Sequence, residues 1–196
     1  MINENGSDYL AYHNYLLKES KSGYVYRRLA LYPFLRLLTG PKFLDVGCGK
    51  GIFLKYGDPR ACLGLDVNPY NIAYVCKQGL RANLINCDDQ FPVQEASFPS
   101  CIIDQVLEHV VDPSFLLREC HRALVPGGIL VVGLPCEKGF AADSDHKVFY
   151  TYASISSLVQ DYNFKCIRHF YFPFNSQAFG RWFTFNYLYV LFRKSS

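Results

Sequence analysis

The sequence predicts an α/β fold with a doubly wound parallel sheet. Short apolar runs of strand-like composition alternate with segments of helical periodicity, and glycine or proline marks most of the turns between them. A glycine-rich turn and several acidic residues directly follow predicted strands. Because such sheets bind ligands at the carboxyl ends of their strands, we expect a small-molecule site at that edge.

Helices and strands are predicted along the whole chain. Leu and Tyr recur at helical spacing around a polar break at 19–23, which predicts two helices within residues 9–38. Strands are predicted at 42–46, 62–66, 82–86, 100–104, 129–134, 165–170 and 187–192. Further helices are predicted at 68–79, 113–124 and 151–162, with a helical turn at 52–56.

A chain of 196 residues fits one domain. Within it we predict a helical cap at 1–40, a ligand-binding core at 41–135, and a substrate loop with the last strands at 136–196.

Charge and cysteine usage argue against several classes of partner. The net charge is +3 without long runs of either sign, so nucleic acid is not expected. The eight cysteines form no CxxC pair and have no histidine at zinc-ligand spacing, so neither a metal site nor a disulfide is expected. Several lie in apolar runs, which favours a reducing, cytoplasmic location. Neither a signal-peptide pattern nor a transmembrane segment is found.

The C-terminal third is rich in aromatic residues. Residues 170–174 and 179–191 combine many aromatic side chains with few charges. Such a segment either packs in a core or contacts something apolar, so one expectation is a homodimer formed through this region.

A glycine-rich turn follows the first core strand. Gly47, Gly49 and Gly51 form a GxGxG pattern just after Asp45, where missing side chains let backbone amides approach a ligand. A tight turn without a ligand is the alternative. Dinucleotide binding usually requires GxGxxG, and position 52 is Ile, so a nicotinamide site is less favoured.

Acidic residues follow the next two strands. Asp66 ends the second strand, where a carboxylate can accept from the ribose hydroxyls of an adenine-containing cofactor; a role at the start of the following helix is the alternative. Asp88 and Asp89 follow the third strand, where an acid can accept from the adenine amine. A turn-forming role for these aspartates is nearly as well supported.

Gln105 and His109 follow the fourth strand at a spacing that places neighbours on one helical face. His109 is interpreted either as a general base or as a partly buried structural histidine.

Taken together, these segments resemble the class I S-adenosylmethionine-dependent methyltransferases, especially the branch with the type 11 methyltransferase domain pattern. The resemblance covers about residues 42–170 and depends on an ordered series of motifs rather than on any one of them. The motifs are residues 44–51, Gly64-Leu65-Asp66, Asp88 with Phe91-Pro92, Val106-Leu107-Glu108-His109-Val110, and residues 122–128.

The resemblance implies a Rossmann-like, seven-stranded sheet, mostly parallel with an antiparallel C-terminal hairpin strand, and an N-terminal helical lid. It implies S-adenosyl-L-methionine as cofactor and S-adenosyl-L-homocysteine as product. Residues 47–49 would face the methionine part, Asp66 the ribose and Asp88 the adenine, while Gln105 and His109 would border the methyl-transfer site. The cofactor-binding residues predicted in full are Asp45, Gly47, Cys48, Gly49, Gly51, Asp66, Val67, Asp88, Asp89, Gln105 and Arg27.

Two further segments are candidates for substrate contacts. Similar family members place an Asp-x-x-His segment, here Asp143 to His146, over the acceptor; a solvated loop with His146 capped by Asp143 is the alternative. Arg27 lies in the lid region and can pair with the cofactor carboxylate or an anionic substrate, whereas a basic face on a surface helix is equally expected.

The sequence therefore predicts a methyltransferase for a small-molecule or saccharide acceptor, acting at oxygen, with His109 or His146 as the base. Two other hypotheses stay open. One is a nicotinamide-dependent oxidoreductase, and the other is a non-catalytic protein of methyltransferase fold that binds a partner through residues 170–192.

Overall fold

The computed structural model describes residues 6–18, 21–86 and 89–195 of the chain. Its strands form a seven-stranded sheet in the order β3-β2-β1-β4-β5-β7-β6. The strands are β1 Leu44–Val46, β2 Leu63–Asp66, β3 Ala82–Leu84, β4 Phe98–Asp104, β5 Leu124–Pro135, β6 Phe164–Phe172 and β7 Tyr187–Lys194. Because β7 runs antiparallel to both of its neighbours, the predicted mixed α/β sheet with an antiparallel C-terminal strand is confirmed.

Seven α-helices are found in the described residues: α1 Gly6–Leu17, α2 Lys21–Tyr26, α3 Tyr32–Thr39, α4 Pro69–Lys77, α5 Ser114–Ala123, α6 Glu137–Ala141 and α7 Tyr152–Gln160. A π-helix, Arg27–Leu31, joins α2 to α3, and short 3-10 helices occur at Phe53–Tyr56, Leu107–His109 and Gln177–Arg181. In the part of the chain that is described, no helix combines the length and the apolar character that crossing a membrane requires.

The chain divides into two compact units, Met1–Pro92 and Val93–Ser196. In the first unit, β1, β2 and β3 pair in parallel. The apolar side chains of β1 and β2 are buried, whereas Leu84 at the end of β3 is exposed. Helix α4 begins where the sequence predicts, because Asn68 accepts a hydrogen bond from the Tyr70 N–H at 3.0 Å and Pro69 fits the first turn.

In the second unit, β4 and β5 are parallel, and β7 lies between β5 and β6. Tyr189 and Phe192 of β7 are fully buried, so much of the aromatic C-terminal region packs in the core. Between β6 and β7, however, Phe174 and Phe179 stack at 4.7 Å and are about half exposed, and Trp182 is 79% exposed. The two interpretations of the aromatic region therefore apply to different parts of it, and the homodimer stays a prediction.

Two predicted boundaries are wrong. Gly23 lies inside α2 rather than in the break before it, because the helical turns continue from residue 21 to residue 39 with the π-helix in between. Strand β5 begins at Leu124 instead of residue 129. Its register against β4 shifts between Leu124 and Ile129, so the turn-forming Pro126-Gly127-Gly128 is an irregularity within the strand rather than a loop before it.

Candidate active site

The glycine turn after β1 has the conformation for which glycine is required. Gly47, Gly49 and Gly51 have φ values of 77°, 52° and 69°, in the left-handed region that side chains disfavour. The N–H groups of Gly47 and Cys48 both donate to the carbonyl of Leu65 in β2, at 2.7 and 3.0 Å. The turn is thus fixed to the neighbouring strand.

Asp66, at the end of β2, connects this turn to helix α4. One carboxylate oxygen accepts the N–H of Gly49 at 2.8 Å, and the other accepts the N–H of Asn68 at 2.8 Å and the side-chain amide of Asn71 at 3.3 Å. Burial raises the pKa of Asp66, while the hydrogen bonds from Asn68 and Gly49 oppose that rise. The carboxylate therefore has the alternative role, at the start of the following helix, that the sequence also indicates. About one of its four acceptor positions is left for a ribose hydroxyl.

Helix α1 lies over this turn. The Lys50 ammonium donates to the carbonyl of Leu16 at 2.8 Å, and the Asn68 side chain donates to the carbonyl of Tyr9 at 2.8 Å. Buried His13 lies 2.8 Å from the Asn71 side-chain oxygen through its Nδ1. The sequence did not single out His13, because an isolated histidine on a helix has no motif around it.

The other cofactor residues predicted in the first unit have varied environments. Asp45 and Cys48 are buried, and burial first, then Asp45 and Asp66, raises the pKa of the Cys48 thiol well above its usual value. This thiol is therefore a packing group rather than a nucleophile. Val67 is half-buried, and exposed Asp89 accepts from the Asn86 amide at 2.8 Å.

The predicted cofactor contacts of Asp88 and Arg27 are not tested by the structure. Asp88 lies outside the described residues. Arg27 is half-buried at the start of the π-helix, and its contact with a cofactor carboxylate stays a prediction.

Gln105, in the second unit, is not on a helical face with His109 as the sequence predicted. The 3-10 helix begins only at Leu107, and Gln105 has a φ of 57°, a left-handed conformation that is uncommon for this residue type. Its backbone N–H donates to the Gly133 carbonyl at 3.0 Å, and its side-chain Nε2 is buried without a partner among the described residues. Strain and an unpaired amide are typical of functional positions.

The structure brings together the two histidines that the sequence proposed as alternative bases. The rings of His109 and His146 lie 4.7 Å apart between centroids. Nδ1 of His109 is 3.1 Å from an oxygen of Asp145, and Nδ1 of His146 is 2.8 Å from the Phe140 carbonyl. The ring of His146 is therefore oriented by a carbonyl. The His146 N–H donates to the Asp143 carbonyl at 3.3 Å, as in the structural alternative, while the Asp143 side chain accepts the N–H of Asp145 at 2.9 Å.

Glu108 completes this cluster. Its side chain is 1% exposed and its carboxylate lies 3.9 Å from Nε2 of His146. Burial, with smaller contributions from Asp104 and Asp143, raises the pKa of Glu108 to about 8. Burial and the neighbouring His146 lower the pKa of His109, which favours its neutral form at neutral pH. Sequence reasoning quoted Glu108 within a motif but gave it no chemical role.

Sequence comparison relates the chain to known methyltransferases. Residues 44–132 match the family described as "Methyltransferase domain". A Mycolicibacterium smegmatis protein named as a probable S-adenosylmethionine-dependent methyltransferase is 30% identical over 143 residues, which is 69% of this chain and 51% of that protein. A ubiquinone biosynthesis O-methyltransferase from Caulobacter sp. is 32% identical over 104 residues, or 47% of this chain and 40% of that protein.

Structural comparison shows the same fold. A chain of the complex between the Haloferax volcanii Trm112 methyltransferase activator and a methyltransferase superposes with a TM-score of 0.72 at 17% identity, covering 96% of this chain and 98% of that chain. The chain belongs to the class I S-adenosylmethionine-dependent methyltransferases. The predicted family, fold and cofactor are confirmed at this level. The chain spans only about half, or less, of the length of the two curated relatives.

Proposed function

We propose that the chain transfers the methyl group of S-adenosylmethionine to a hydroxyl oxygen of a small-molecule or saccharide acceptor. The family provides the methyl donor. The Caulobacter relative, named for O-methylation in ubiquinone biosynthesis, supports oxygen as the acceptor atom. The observation that carries the proposal is the cluster of buried Glu108 with half-buried His109 and His146 in the second unit.

Transfer to a hydroxyl has one requirement that the activated donor does not meet. A sulfonium methyl needs only a nucleophile in line with it, but a hydroxyl must also lose its proton near neutral pH. The cluster has groups suited to this task, since the lowered pKa of His109 favours a neutral imidazole and Asp145 orients the ring. The assignment of His109 or His146 as a direct base stays a prediction.

The proposed cofactor residues lie in the first unit, apart from Gln105. The glycines at residues 47–51 let the backbone approach the methionine part closely, although the N–H groups of Gly47, Cys48, Gly49 and Gly51 donate within the protein. Asp66 offers its remaining acceptor position to the ribose. Val67, Asp88, Asp89 and Arg27 complete the proposed set. We also retain two proposals: the chain has no nucleic-acid partner, and it forms a homodimer.

Methyl transfer to defined acceptors tests the proposal. The purified chain with labelled S-adenosylmethionine is offered matched panels of phenols, sugars and primary amines, and we expect label on hydroxyl compounds. Label on amines alone would contradict oxygen as the acceptor, and no label in any panel or in a small-molecule extract would contradict the activity. Calorimetric titration with S-adenosylmethionine and with NAD also tests the oxidoreductase hypothesis, which the family assignment disfavours.

A further inference from the structure

Glu108, His109 and His146 converge although they come from two separate segments of the second unit. One potential ligand atom from each lies within 4.8 Å of the other two. The backbone holds the segments together, because the N–H groups of Lys147 and Val148 both donate to the carbonyl of Glu108, at 2.7 and 3.1 Å. The cluster is therefore a built site rather than a chance approach of flexible side chains.

The Glu108 carboxylate lacks compensation for its burial. Within the described residues, neither of its oxygens has a hydrogen-bond partner, and the 3.9 Å to Nε2 of His146 is too long for one. A buried ionised carboxylate is normally paired, hydrogen-bonded or bound to a metal ion, so a bound cation would stabilise the charged form that burial alone disfavours.

The two histidines are held in the way that metal-binding histidines usually are. His109 directs Nδ1 to the carboxylate of Asp145, and His146 directs Nδ1 to the carbonyl of Phe140. Contacts of this kind orient a ring and leave Nε2 as the ligand nitrogen. The Nε2 of His146 is the atom that faces Glu108.

We propose that Glu108, His109 and His146 bind a divalent transition-metal ion such as Zn²⁺. Two imidazoles with one carboxylate favour such ions over Mg²⁺ or Ca²⁺, which prefer oxygen ligands alone. No local motif marks this site, because none of the ligands is a cysteine and His146 is distant in the chain from Glu108 and His109. Three protein ligands leave coordination positions open.

The open positions give the ion a use that rests on the proposed function. An acceptor hydroxyl bound to the ion has a lowered pKa and loses its proton to solvent. Its oxygen then forms a bond to the methyl carbon while the carbon–sulfur bond breaks and the electron pair stays on sulfur as a neutral thioether. In this form His109 and His146 are ligands, and neither imidazole is the base.

Metal binding is measured on the whole chain after treatment with a chelator. We expect one Zn²⁺ per chain by calorimetry and visible absorption bands on addition of Co²⁺. Glu108→Gln, His109→Ala and His146→Ala should each weaken Zn²⁺ binding at least ~10-fold, and Asp145→Asn, outside the ligand set, by about 10-fold. His169→Ala, an exposed histidine of the same unit, is the matched control and should bind as the unaltered chain does.

These readouts need neither cofactor nor acceptor, so the two proposals fail separately. The metal site is overturned if the unaltered chain does not bind Zn²⁺. It is also overturned if all three ligand variants, shown to be folded by circular dichroism, bind Zn²⁺ with the affinity of the unaltered chain. If a ligand variant does not fold, Asp145→Asn decides between the outcomes, because a purely structural cluster would leave its Zn²⁺ affinity unchanged. Methyl transfer that persists in excess chelator likewise overturns the role of the ion, whereas Zn²⁺ binding without methyl transfer to any acceptor contradicts only the proposed function.

Discussion

The carboxylate of Asp66 accepts the backbone N–H of Gly49 at 2.8 Å, across the gap between the end of β2 and the glycine turn. The same side chain receives the N–H of Asn68 at the start of α4. The buried Asp66 side chain thus links the end of β2, the glycine turn and the start of α4. Its effect on ligand binding therefore has to be measured separately from its effect on folding.

Asp66→Asn should weaken S-adenosylmethionine binding by about 10- to 100-fold, because an amide accepts hydrogen bonds less strongly than a carboxylate. Its NH₂ group would also face one of the backbone donors, which costs about 1–3 kcal/mol of stability. Calorimetry measures the affinity and urea unfolding the stability. Asp58→Asn, in an exposed turn of the same unit, is the control, and equal affinity in the two variants would exclude the ribose role for Asp66.

Gly51→Ala should destabilise the chain more than Gly79→Ala. Both glycines have left-handed φ values, 69° and 76°, so each substitution costs about 1–2 kcal/mol in backbone strain. A Cβ at Gly51 would also lie 2.8 Å from Cγ2 of Val75, whereas a Cβ at Gly79 would meet nothing within 4 Å. Overpacking adds about 1–3 kcal/mol, measurable by urea unfolding. Equal losses would show that α4 moves aside without cost.

His13→Leu should loosen helix α1. His13 is buried and contacts Asn71, which in turn donates to Asp66, so a chain of hydrogen bonds leads from α1 to the glycine turn. The substitution removes the hydrogen bond to the Asn71 oxygen. We expect the free energy of local opening of α1 to fall by about 1 kcal/mol, which speeds amide exchange there by roughly 5-fold. Mass spectrometry of exchanged peptides makes the measurement. Asn14→Ala, exposed on the same helix, should leave exchange unchanged, and no difference between the two would contradict the coupling.

Thiol labelling should divide the cysteines by environment. Each described cysteine is free, Cys76 is exposed, and Cys48 and Cys101 are buried with pKa values raised well above the usual range, chiefly by burial. We expect iodoacetamide to modify Cys76 in the native chain, and Cys48 and Cys101 only after unfolding, because the thiolate is the reactive form. Peptide mass spectrometry identifies the sites. Native labelling of Cys48 as fast as that of Cys76 would contradict the buried turn.

Local chemistry made much of the fold predictable. Asn68 and Pro69 mark the beginning of α4 because both residues have strong positional preferences, and the apolar runs of β1 and β2 leave few other structures for them. The length of β5 was not predictable in this way. Gly127 in the left-handed conformation is accommodated inside the strand by a register shift, which depends on pairing with β4.

In the candidate site too, features set by local sequence were predictable and features set by packing were not. The glycine turn and Asp66 were found because each lies directly after a strand, where the sequence pattern is local. The contact between His109 and His146 joins positions that are far apart in the chain, and the sequence named both without indicating that they meet. The missing hydrogen bonds of Glu108 are a property of packing, to which a sequence pattern is insensitive.

The position of β7 in the sheet has a consequence for biosynthesis. Strand β6 is at the edge of the sheet and is paired with β7 in the described structure, although β7 is translated later. Phe164–Phe172 therefore leave the ribosomal exit tunnel before residues 187–194, and this aromatic strand lacks β7 as a hydrogen-bonding partner until those residues emerge. During that interval the nascent chain presents a strand edge to which chaperones, or other nascent chains, can bind.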